Sequence, residues 1–153
     1  MSSEMRDLYQ EVILDHYKHP RNFRRPKTTN REAQGSNPLC GDRISIYLEF
    51  ENGKIKDIGF QGSGCAISTA CASMMTEGLK GKTQSEVEMF FNQFHHLVTQ
   101  GTKDLDMKAL GKLAVFEGVR EFPMRVKCAS LAWHTLKAAM DDTHEPVSTE
   151  EEE

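Results

Sequence analysis

The stretch ISIYLEFENGKIKDIGF, residues 44–60, constrains the fold more than any other part of the chain. Ile44, Ile46, Leu48 and Phe50 alternate with Arg43, Ser45, Tyr47 and Glu49, the period-two pattern of a strand with one face on a core. Asn52-Gly53 follows, the two-residue turn that matches the right-handed twist of a hairpin. The second arm, Lys54 to Phe60, breaks strict alternation between Ile55 and Ile58, so a bulge or a shifted register is expected there. A hairpin with one apolar face has to bury it, and the flanking sequence supplies helices that can cover it.

Residues 5–19 place Leu8, Val12, Ile13 and Tyr17 on one side at helical spacing, and Pro20 stops the pattern. From Arg21 to Leu39 the chain turns polar around Pro26, Gly35 and Pro38, which predicts a long loop with one short strand near Glu32 to Gly35. Small residues and Met from Ala66 to Lys80 predict a helix packed closely on the sheet and ended by Gly81. Thr83 and Glu86 have capping-box spacing, and Val87, Phe90, Phe91, Phe94 and Val98 form the stripe of the helix that follows, closed by Gly101. Asp106 to Val119 reads as helical, and Arg125 to Met140 as a last helix with Leu131, Leu136 and Ala139 inside. The expected fold is α+β: a small antiparallel sheet of about three strands packed on one face by helices. Residues 1–143 form a single domain, and the acidic stretch 144–153 is expected to be a disordered tail with nothing to bury.

With 153 residues the chain is long enough for one ordinary core. Its net charge of −4, with 19 basic residues spread along the length, forms no basic patch for a phosphate backbone, so nucleic acid is not an expected partner. The N-terminal residues have no signal-like apolar region, and no run approaches the ~18 apolar residues of a membrane span, so a soluble cytoplasmic protein is expected. GLKGKT, residues 78–83, has too few residues between its glycines for a phosphate-binding loop. His16 with His19, and the adjacent His95 and His96, read as surface or packing groups rather than metal pairs.

In a reducing compartment Cys40, Cys65, Cys71 and Cys128 are expected to be metal ligands, reactive thiols or buried residues, not disulfides. Cys40 enters the sheet in NPLCGD beside Asp42, Cys65 follows a Gly-Ser-Gly turn, and Cys128 lies near the start of the last helix. Helix starts favour thiolate over thiol, which is expected at Cys65 and Cys128. With Asp42 the three offer three thiolates and a carboxylate, enough for four-coordinate zinc or one edge of an iron–sulfur cluster. Their spacing matches no zinc finger. Cys71, in TACASMM, reads as core packing.

Four segments, in order, carry a resemblance: ILDHYKHPRNF, NPLCGD, GSGCAIS with MMTEGLKGK, and LAVFEGVREFPMRVKCASLAWHTL. Over about residues 5 to 140 the chain resembles the IscU/NifU-like iron–sulfur assembly proteins, with a SufE/NifU-like fold, and specifically the SufU branch. The resemblance implies that Cys40, Asp42, Cys65 and Cys128 are the metal ligands. Where IscU-type scaffolds have a histidine just before the last cysteine, this chain has Lys127. It reads FPMRVK in place of their chaperone-docking motif, and it carries an insertion between Cys65 and Cys128. These departures resemble SufU, in which bound zinc takes part in sulfur transfer. Zinc with three thiolates and a carboxylate has a formal charge of about −2, which Arg125, Lys127 and Arg43 are placed in sequence to offset.

The expected function is therefore zinc-dependent sulfur transfer. Cys40, on its flexible loop, accepts persulfide sulfur from a cysteine desulfurase of the SufS type and passes it to a downstream Suf assembly complex. Two alternatives use the same residues: a scaffold that builds a [2Fe–2S] cluster, and a structural zinc module without sulfur-acceptor activity.

Overall fold

The computed structural model describes residues 3–142 and 145–149, with side chains from Tyr9 onward. The expected hairpin is formed by β2 (Asp42–Glu51) and β3 (Lys54–Ser63), joined by Asn52 and Gly53, which both have positive φ, at 55° and 76°. Glu49 lies opposite Asp57 and Phe50 opposite Ile55, so Lys56 is the extra residue of a bulge where the alternation breaks. The bulge turns both Ile55 and Ile58 into the core, where neither has exposed surface.

β1 (Arg31–Asn37) pairs antiparallel with β2 and is longer than the sequence suggests. The sheet has four strands rather than about three, in the order β3-β2-β1-β4. β4 (Val147–Ser148) comes from within the stretch read as a tail and pairs in parallel with Gly35 and Ser36. An edge strand leaves unpaired N–H and C=O groups that an extended segment can satisfy. Here Thr149 N–H donates to Ser36 O at 3.1 Å, and Val147 packs against the core. Residues 143–144 and 150–153 of the expected tail, and the Leu8 side chain, lie outside the described residues.

The helices are α1 (Ser3–Lys18), α2 (Ala66–Leu79), α3 (Gln84–Gln100), the single turn α4 (Met107–Leu110) and α5 (Pro123–Met140). Among the described residues no helix is long and apolar enough to cross a membrane. α5 packs on β1 and β2 and α2 on β3, so Ile46, Leu48, Ile58 and Phe60 meet Leu131, Ala132 and Leu136 in one core. α3 starts at the expected capping box: Thr83 Oγ1 accepts Glu86 N–H at 3.2 Å and Glu86 Oε1 accepts Thr83 N–H at 3.0 Å. The inner side of α1 differs from its apolar pattern. Val12 and Ile13 pack inward, Tyr17 is exposed, and His16 is buried instead, its Nδ1 2.7 Å from Ser73 Oγ. Burial lowers the His16 pKa, so the ring is held neutral between α1 and α2.

Asp106 to Val119, read as helical, forms the single turn α4 and then a 3₁₀ helix over residues 111–121. Leu110, Leu113, Phe116 and Val119 recur every third residue and all are buried. A three-residue stripe lines up along a 3₁₀ helix and would wind around an α-helix, so the spacing of apolar residues selects the tighter form. Phe116 meets Phe94 edge-on at 5.8 Å, and Phe94 stacks on Trp133 at 5.2 Å, which ties the 3₁₀ segment to α3 and α5.

Phe116→Ala should cost about 3–5 kcal/mol in urea unfolding, as a large fully buried ring is lost from this cluster. Exposed Lys112→Ala, in the same segment, should stay within about 0.5 kcal/mol of the parent.

Candidate metal centre

The site is built where three elements end. Cys40 and Gly41 sit in the turn between β1 and β2, Cys65 is the N-cap of α2, and Cys128 lies in the second turn of α5. Gly41 has φ of +72°, the left-handed conformation that glycine adopts without steric cost, and Cys40 N–H donates to Asn37 O at 3.2 Å to close the turn. Ligand atoms of Cys40, Asp42 and Cys128 lie within 4.8 Å of one another. The Cys128 and Cys40 sulfurs are 3.4 Å apart.

Asp42 joins the hairpin to α2. It has no exposed surface, and its Oδ1 accepts Cys65 N–H at 2.8 Å. Its other oxygen, Oδ2, is 3.7 Å from Cys65 Sγ. A Cβ on Gly64 would come within 2.6 Å of Asp42 Oδ1, so only glycine lets the carboxylate sit against the start of α2. Of the four expected ligands the structure thus gathers Cys40, Asp42 and Cys128 into one set, with Cys65 beside it through Asp42. Two sulfurs bound to one zinc at about 2.3 Å would be about 3.8 Å apart, and a sulfur and a carboxylate oxygen about 3.6 Å, so the Cys40–Cys128 sulfur separation of 3.4 Å and the Cys65 Sγ to Asp42 Oδ2 separation of 3.7 Å suit a tetrahedral site. The donor set, soft sulfur with one carboxylate oxygen, fits zinc.

The thiols differ in their protons. Cys65 is lowered from 9.0 to about 7, first by a hydrogen bond from Cys128, then by the N–H groups of Ser68 and Ile67 at the start of α2, against burial and the Asp42 charge. Its sulfur is 3.4 Å from Ser68 N. The N–H groups at the start of α2 favour the Cys65 thiolate as expected, although the Cys128 hydrogen bond is the larger cause. At Cys128 the expectation fails: α5 begins at Pro123, so this sulfur lies beyond the first turn, and its pKa is raised by Cys65, burial and Cys40. Without a cation, Cys128 keeps its proton and shares it with Cys65.

Burial grades the sulfurs from exposed Cys40 through half-buried Cys65 to buried Cys128. Cys71 is apart in the core, its thiol donating to Ala129 O at 3.1 Å and its pKa pushed up by burial. Of the basic residues, Lys127 is half-buried on α5, Arg43 is exposed on β2, and Arg125 holds its guanidinium 4.5 Å from the centre of the Phe122 ring. The sequence reading missed Asn37. It is fully buried and its Nδ2 lies 3.6 Å from Cys128 Sγ. Its only signal is its position ahead of Pro38 in NPLCGD.

In metal-free protein the iodoacetamide reactivity of Cys65 should rise through a midpoint near pH 7 as its thiol loses a proton. Mass spectrometry of the alkylated sites should show Cys128 lagging by pH and Cys71 unmodified while the fold is intact.

Residues 8–129 match the NifU-like N terminal domain family. The iron–sulfur cluster assembly scaffold protein IscU of Streptococcus pyogenes serotype M1 is 42% identical over 139 residues, which cover 90% of this chain and 86% of that one. The zinc-dependent sulfurtransferase SufU of Bacillus subtilis is 39% identical over 130 residues, 85% of this chain and 87% of that one. A crystal structure from Fervidobacterium islandicum, of a candidate iron–sulfur cluster assembly scaffold protein for the SUF system (FiSufU), aligns with a TM-score of 0.80 and 34% identity over 91% of this chain and 99% of that one. The chain belongs to the IscU/NifU-like family of iron–sulfur cluster assembly proteins.

Proposed function

We propose that this protein is a zinc-dependent sulfur carrier of iron–sulfur cluster assembly, acting in the reducing cytoplasm between a cysteine desulfurase of the SufS type and a downstream Suf assembly complex. The observation that carries this reading is the graded site: a compact donor set of Cys40, Asp42 and Cys128 in which Cys40 alone is exposed. Cys40, Asp42, Cys65 and Cys128 are the residues that would hold the metal. When bound, zinc supplies positive charge that keeps the thiols deprotonated and adds no redox chemistry of its own.

The chain's own residues account for the transfer. Asp42 and Cys128 are anchored by β2 and α5, whereas Cys40 occupies a surface turn whose movement disturbs no helix. Its thiolate attacks the outer sulfur of the desulfurase persulfide. A new sulfur–sulfur bond forms at Cys40, the desulfurase's own sulfur–sulfur bond breaks, and the desulfurase cysteine leaves as a thiolate. Neutral sulfur moves, so no external oxidant or reductant is consumed. Buried Cys128 and half-buried Cys65 are less open to attack by a large donor.

A second reading is favoured by the Streptococcus pyogenes relative, which is named a scaffold. In that case the same residues would carry a [2Fe–2S] cluster as cargo. Lys127, standing where a histidine could ligate, offers no imidazole to such a site.

Zinc-loaded Cys40→Ala should accept no labelled sulfur above background from a desulfurase, with its fold intact by circular dichroism. Transfer at the parent rate would overturn the assignment of Cys40. Iron with acid-labile sulfide in protein purified anaerobically, in place of zinc, would favour the scaffold.

A further inference from the structure

Asn37 is placed to do more than end a strand. It is the last residue of β1 and pairs across the ladder with Asp42. Its backbone oxygen accepts Cys40 N–H at 3.2 Å, and its side-chain Nδ2 is 3.6 Å from Cys128 Sγ. One buried residue therefore contacts three of the candidate ligand residues and links the hairpin to α5.

The orientation of its amide is informative. Among the described residues Asn37 Oδ1 is buried and has no hydrogen-bond partner. A fold leaves a buried carbonyl oxygen unpartnered only at a cost, so something has to favour pointing the nitrogen at Cys128. A thiolate sulfur bound to a metal carries no proton and can only accept, which makes the N–H end the sole compatible one. An oxygen turned toward it would repel.

We infer that Asn37 is a positioning residue of the metal centre, donating its side-chain N–H to Cys128 Sγ so that Cys128 is retained as a ligand and Cys40 is left as the reacting sulfur. The inference rests on the metal-centre reading above. A hydrogen bond draws electron density from a thiolate, makes it a poorer nucleophile and fixes its direction. Cys40 gains nothing comparable: among the described residues its sulfur receives the Cys128 thiol at 3.4 Å and no amide donor. That thiol proton is gone once both sulfurs are thiolates. The sulfurs are thus distinguished by their neighbours as well as by exposure.

The test uses the full chain loaded with cobalt(II) or zinc and the substitution Asn37→Leu, which has similar bulk, removes the donor and also removes the unpartnered oxygen. Asn37→Ser, small enough for the same site and too short to reach Cys128, serves as the second variant should the first fail to fold. The expected result is a shift of the thiolate-to-cobalt charge-transfer band to lower energy, with metal affinity about 10–100-fold weaker by chelator competition. In the zinc-loaded variant, alkylation of Cys128 relative to Cys40 should rise several-fold. A variant that folds and keeps the parent's band, affinity and alkylation order would overturn the role of Asn37 while leaving the metal centre standing. A parent protein that shows no thiolate-to-cobalt band would overturn both.

Discussion

Asp42 has no exposed surface, and its carboxylate joins two parts of the chain that local structure keeps separate: the turn between β1 and β2 and the start of α2. One oxygen is taken by Cys65 N–H, while the other faces the sulfurs. A buried carboxylate is expensive unless paired, and among the described residues its immediate partners are an amide and a thiol. A divalent cation between Asp42 and the cysteines would satisfy that charge. The closeness of Gly64, the turn at Gly41 and the placement of Cys128 by α5 all serve the same convergence.

From that convergence comes a division of labour among chemically identical groups. Cys71 packs, Cys128 is buried beside an amide donor, Cys65 caps a helix whose N–H groups favour its thiolate, and Cys40 stands exposed in a turn. Reactivity follows from environment: four cysteines in one chain are given different access by burial, and Cys65, Cys71 and Cys128 different proton affinity by burial, helix position and neighbours. Sulfur transfer needs such a difference, because an acceptor must react at one sulfur while the others keep the site together.

What could be read in the sequence was local. The alternation at 44–60, the Asn52-Gly53 turn, the bulge near Ile55 and the Thr83–Glu86 capping box each depend on contacts within a few residues, and each is found. What could not be read depends on distance or on a rarer geometry. β4 is two residues long and exists only because the edge of β1 accepts it. The stripe of Leu110, Leu113, Phe116 and Val119 looks helical in general terms, and only its three-residue period distinguishes 3₁₀ from α. At the site, Cys40 and Asp42 were legible as neighbours in a turn, but the contact of Asn37 with Cys128 spans most of the chain and carries no local signal.

In the proposed metal centre one zinc ion would be held by three sulfurs and one carboxylate oxygen. X-ray absorption at the zinc edge, on protein purified without added metal, tests it most directly. Three sulfur scatterers at about 2.3 Å and one lighter atom at about 2.0–2.2 Å, with no metal–metal distance, are expected. A shell of nitrogen and oxygen alone, or an iron-edge signal with a short iron–iron distance in the same protein, would contradict it.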